Sequence, residues 1–113
     1  TEETRHTFVK GPVVREGRIA TLLRQYPNLI CDISAMSGYN ALSRDLEYTY
    51  EFIDEFYEQI VFATDISSEH TIKKSSVLLT NLLDEGYRSG NISEKAYRCI
   101  CRENALRILQ GGI

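Results

Sequence analysis

The chain has 113 residues, 42% of them hydrophobic and 26% charged, with a formal net charge of −3. That is enough for one modest domain of ordinary soluble composition, which argues against disorder and against a membrane span. The charge is spread along the chain, so no basic patch offers itself to nucleic acid. The three cysteines, Cys31, Cys99 and Cys101, read as reduced thiols of a cytoplasmic protein, not as a disulfide framework.

Residues 1–15 show no clear period. Gly11–Pro12 marks a turn, and His6, among polar neighbours, reads as a solvated loop histidine. From Glu16 to Tyr26 the apolar residues Ile19, Leu22, Leu23 and Tyr26 follow helical spacing, and Pro27 ends the helix. Leu29–Ala35 reads as a strand, interrupted by Asp32, a polar residue that is unusual in a strand covered on both faces. Met36–Leu42 reads as a polar loop in which Gly38 supplies unusual dihedrals. Ser34, Ser37, Tyr39 and Asn40 cluster just past this strand end, where neutral hydrogen-bonding groups can line a ligand rim or simply form a turn and a helix cap.

Ser43 or Asp45 can cap a helix over Leu46–Tyr57, and Tyr48, Phe52 and Phe56, four residues apart, mark its core-facing stripe. Ile60–Ile66 reads as a second strand, apolar and partly β-branched until Thr64 and Asp65. In a parallel α/β architecture the carboxyl end of a strand is where ligands and catalytic groups collect, and a carboxylate there can bind a metal or move a proton. An Asp in that position also serves as a helix cap or Asx-turn. His70 lies in the following loop. A helix is expected over Thr71–Glu85, burying Ile72, Leu78, Leu79, Leu82 and Leu83, with Gly86 as its stop. Ser93 caps a last helix carrying Ala96, Tyr97, Ile100, Ala105, Ile108 and Leu109 near one side. Cys99 and Cys101, two apart on that helix, diverge and share no metal.

The order helix, strand, helix, strand, helix, helix predicts parallel strands joined by right-handed crossovers. Two such strands cannot bury themselves, so residues 1–113 read as a single partial domain, or as a subunit completing its sheet with another chain.

The series Lys10–Val14, Gly17–Arg18, Tyr26–Leu29, Asp32–Ala35, Ser37–Leu42, Arg44–Asp45, Phe62–Asp65 and Glu103–Ala105 resembles the C-terminal part of amidohydrolase-related proteins. That group comprises metal-dependent TIM-barrel hydrolases and decarboxylases. The resemblance covers nearly the whole chain and implies an α/β fold, the last two β/α units of a (β/α)8 barrel. Leu29–Ser34 would be the seventh strand and Ile60–Asp65 the eighth. It further implies that Asp65 is a metal ligand, a proton carrier for the attacking water, or both, and that Ser34, Ser37 and Asn40 lie at the mouth that binds a small-molecule substrate. The cofactor implied is a divalent metal, zinc foremost.

The chain departs from the family pattern in its histidines. Family members hold the metal through a His-x-His pair and further histidines, whereas this chain has only His6 and His70. Catalytic zinc typically takes three protein ligands, and a whole barrel takes about 250 residues. The expectation is therefore a C-terminal fragment, inactive alone, of a metal-dependent hydrolase or decarboxylase. The rival expectation is a non-catalytic α/β half-barrel that acts by oligomerisation through its exposed sheet edges.

Overall fold

Apolar spacing and caps account for most of the helices in the computed structural model, which describes residues 9–71 and 74–111. Helix α1 (Arg18–Gln25) buries Ala20 and Leu23 and ends before Pro27. Strand β1 (Cys31–Asp32) leads into α2 (Ala35–Ser43), then α3 (Leu46–Phe56), a 3-10 turn (Tyr57–Gln59) and strand β2 (Ile60–Val61). A second 3-10 turn (Glu69–Thr71) precedes α4 (Ser75–Arg88), and α5 (Glu94–Arg98), a π-turn (Cys99–Glu103) and α6 (Asn104–Leu109) close the chain. Among the described residues no helix is long and apolar enough to cross a membrane.

Helix α3 begins where a carboxylate can satisfy a free N–H: Asp45 accepts from Tyr48 N (3.2 Å). Thr49, Ile53 and Phe56 then fall on its buried face. The expected aromatic stripe forms, with Phe52 and Phe56 ring centroids 5.0 Å apart and Tyr48 and Phe52 6.3 Å apart, although only Phe56 is fully buried. Ser93 caps α5 by accepting from Ala96 N (3.1 Å). The core joins Ala20, Leu23, Ile33, Leu42, Ile53, Phe56, Ile60, Leu79, Leu83, Ile92, Ala96 and Ile100, drawn from β2, the residue after β1 and most of the helices.

Three local expectations change. Met36–Leu42 is helical, part of α2, and not a loop. Gly86 does not stop α4 but sits buried inside it, where a Cβ would lie 2.4 Å from the Ile92 side chain. The glycine is there for close packing, not for its conformational freedom. Leu78 is exposed, while Ile72 lies outside the described residues, as does His6.

The larger correction concerns the barrel. About 63% of the described residues are helical, and the sheet is a single parallel pair in which Cys31 faces Ile60 and Asp32 faces Val61. Two-residue strands are well short of the five or so residues of an ordinary stave. The chain is therefore a mostly helical fold with a small parallel sheet, not a portion of a (β/α)8 barrel with flanking helices. The physical reason lies at the outer edge of β2. Ile33 N–H donates to Val61 O (3.2 Å), so Val61 addresses β1 and, by strand alternation, Ile60 and Phe62 address the other side. There Phe62 N–H donates to Ile100 O (3.0 Å), and Ile60 O accepts from Asn104 Nδ2 (2.8 Å). A helix carbonyl and an asparagine amide take the positions a neighbouring stave would use. The helices also pack on one another, α2 against α4, and do not each cover a strand.

Candidate functional site

Both parallel strands end in the same kind of turn. After β1, Asp32 Oδ1 accepts from Ser34 N (2.7 Å), an Asx-turn that delivers the chain into α2 through Ala35 at φ +66°. After β2, Thr64 Oγ1 accepts from Ile66 N (3.3 Å) across Asp65, which sits at φ +55°. Left-handed backbone at a non-glycine residue is strained, though Asp tolerates it better than most, and such residues concentrate at functional sites. These two are the only non-glycine residues with positive φ among the described residues, and they stand beyond the carboxyl ends of adjacent parallel strands.

Asp65 is exposed, and among the described residues no hydrogen bond or ion pair engages its carboxylate. It caps no helix: α4 begins ten residues later at Ser75. Asp32, level with Val61, is likewise exposed, and one of its carboxylate oxygens is used in the turn.

Ser34, Ser37 and Asn40 follow one another at intervals of three along the start of α2, which places them on one side of that helix. Ser34 is half-buried at its N-cap position, with no side-chain cap bond, and Ser37 is exposed. Asn40 is engaged elsewhere: its Nδ2 donates to Val9 O (2.8 Å). It belongs to a clasp in which Arg44 donates to Gly11 O (2.8 Å) and Pro12 O (3.1 Å) while Asp45 Oδ2 accepts from Val13 N (2.9 Å). The clasp binds residues 9–13 across α2 and α3. The Val13 and Tyr48 amides, in that order of weight, hold the Asp45 carboxyl below its ordinary 3.8.

The donor set around Asp65 does not by itself fit a metal. Among the described residues no three His, Cys, Asp or Glu side chains gather where one ion could be held. His70 is exposed in the Glu69–Thr71 turn. The cysteines are not activated, since burial pushes the thiols of Cys31, Cys99 and Cys101 above their ordinary range. Cys101 borders a cleft of about 160 Å³ with Phe62, Thr80, Leu83, Asp84 and Tyr97. There the Tyr97 hydroxyl donates to Asp84 Oδ1 (2.6 Å), and that bond, with burial, pushes its pKa up to about 12.

Asn104, which lies within the Glu103–Ala105 resemblance but was not among the expected site residues, is the most deeply buried polar residue described (0% exposed), and its Nδ2 donates to Tyr57 O (2.6 Å) and Ile60 O (2.8 Å). A signal was present. Ala96, Ile100, residue 104 and Ile108 recur every four positions, so an asparagine at 104 puts an amide on the apolar stripe, where it must find partners.

No family model, no curated protein and no solved structure matches this chain.

Proposed function

We propose that this chain contributes Asp65 to the site of a metal-dependent hydrolase or decarboxylase of the amidohydrolase-related group, with the metal held by residues outside these 113. The observation that carries the reading is Asp65 itself: a strained, exposed carboxylate without a partner among the described residues, just past one of two parallel strands. The family resemblance of Phe62–Asp65, Ser37–Leu42 and Glu103–Ala105 adds to it. In this reading Asp65 accepts the proton of the attacking water or serves as one oxygen ligand. Ser34 and Ser37 offer hydroxyls to a small polar substrate, and Asn40 joins them only if its bond to Val9 is exchanged. The chain alone carries no turnover.

The test is made on the whole reading frame that contains this chain. The upstream sequence is expected to encode a His-x-His strand, and the purified protein to retain zinc or another divalent ion. Asp65→Asn should lower turnover by about a hundredfold or more, the range for losing a general base, with the unfolding midpoint nearly unchanged. Full turnover in Asp65→Asn, or an upstream sequence without that histidine pair, overturns the reading.

A second reading, association without catalysis, is favoured by one observation. Ile19 (52%), Leu22 (37%), Tyr26 (47%) and Leu29 (37%) leave an exposed apolar strip on and after α1. Alternation also turns the Asp32 backbone to the edge of β1 that faces away from β2. Sedimentation of this chain decides it: self-association weakened by Leu22→Arg supports the reading, and a monomer throughout excludes self-association.

A further inference from the structure

The C-terminal helical segment contains an irregularity with a definite consequence. In an unbroken α-helix the Asn104 N–H would bond to Ile100 O, four residues back. Across the π-turn it bonds instead to Cys99 O, five residues back. The Ile100 carbonyl is thereby released, and it accepts from Phe62 N–H (3.0 Å). The same turn brings the Asn104 side chain to Ile60 O (2.8 Å) and to Tyr57 O (2.6 Å), which closes the 3-10 turn onto the strand. Two carbonyl acceptors fix the orientation of the amide, because only the NH2 end can serve both. Its Oδ1 is left buried with no partner among the described residues. An orphaned buried acceptor costs stability, but an apolar residue here would take the donor from two carbonyls in its place, so the amide is kept for the two bonds it makes. This arrangement specifies position.

We propose that Asn104, with the π-turn before it, is a positioning residue: it clamps β2 from its outer edge and so fixes the left-handed turn that presents Asp65, three residues beyond Phe62. The clamp stands in for a third strand, holding Ile60 and Phe62 through one side-chain amide and one helix carbonyl. Its importance rests on the reading of Asp65 as the working carboxylate. The test reads the backbone around Asp65 and not turnover, so failure of one does not entail failure of the other.

The experiment is amide hydrogen exchange and NMR on this chain. In the unmodified protein the two Asn104 Nδ2 protons should exchange far more slowly than those of the exposed Asn81 side chain. In Asn104→Leu, which keeps the volume and removes both donors, Phe62 N–H protection should fall about tenfold relative to the slowest core amides, the scale of one lost hydrogen bond. The Asp65 and Ile66 amide resonances should move with it. Leu42→Ala, a core truncation in α2, which contributes no residue to the clamp, should lower the unfolding midpoint without moving those resonances. Three outcomes overturn the proposal: Asn104 side-chain protons exchanging as fast as those of Asn81, Asp65 resonances unmoved in Asn104→Leu, or equal movement in Leu42→Ala. The first needs no variant, so it holds even if Asn104→Leu does not fold.

Discussion

Replacing Gly38 by alanine should destabilise the chain, against the helix propensity of the two residues. Gly38 lies within α2, where alanine is favoured by about 1 kcal/mol. An added Cβ would stand 2.1 Å from Ile33 O and 2.5 Å from Ile33 C, both backbone atoms that no rotamer change can clear. Ordinary contact begins near 3.4 Å, so α2 and β1 would have to separate by about 1.3 Å. Ile33 cannot yield cheaply: its side chain is 4% exposed and its N–H is bonded to Val61 O. Losing that bond costs about 1 kcal/mol and disturbing a packed core residue roughly 1–3 kcal/mol. Set against the propensity gain, the net is about 2 kcal/mol of destabilisation, a large share of a domain stability of roughly 5–15 kcal/mol. Urea unfolding followed by circular dichroism measures it. Ala41→Gly, at an exposed position of the same helix, gives the propensity contribution alone and should cost about 1 kcal/mol. A Gly38→Ala midpoint equal to or above that of the parent refutes the close approach of α2 to β1.

Thr49 is 1% exposed and its hydroxyl donates to Leu42 O (2.5 Å), so Thr49→Val, which keeps the shape, should cost about 1–2 kcal/mol in the same assay; an unchanged midpoint would show that the bond contributes nothing. The Asp45 carboxyl titrates below its ordinary 3.8 because the Val13 and Tyr48 amides bond its charged form. A depressed folded-state pKa means that its contribution is present above 3.8 and is lost as pH falls through the lower, folded value. Val13 amide protection should therefore decline with acid below that point. In Asp45→Asn this pH dependence should vanish, and persistence of the same profile would remove Asp45 as its cause.

The local rules written into the chain were sufficient for α1, α3 and α5, though not for α2, which was expected as a loop. Pro27 ended α1, Asp45 and Ser93 capped α3 and α5, and the four-residue spacing of Tyr48, Phe52 and Phe56 set one side of α3, because capping and periodicity act within a turn or two of the residue concerned. The parallel pairing and the start of β2 at Ile60 were also legible, from apolar runs separated by a helix, whereas β1 begins at Cys31 and not at Leu29. The strand lengths were not legible, nor were the uses of Gly38 and Gly86. A glycine required by a backbone or side chain that approaches from elsewhere looks the same in sequence as one required by its own dihedrals. Asn40 gave no sign that its amide would be spent on Val9, 31 residues away. Whether Ile60–Asp65 became a barrel stave or a two-residue bridge turned on what reached its outer edge. That depended on the π-turn releasing Ile100 O and on Asn104 filling the adjacent position, some forty residues downstream. Short-range chemistry is carried by the order of residues, whereas the competition for an open strand edge is settled only when distant segments meet.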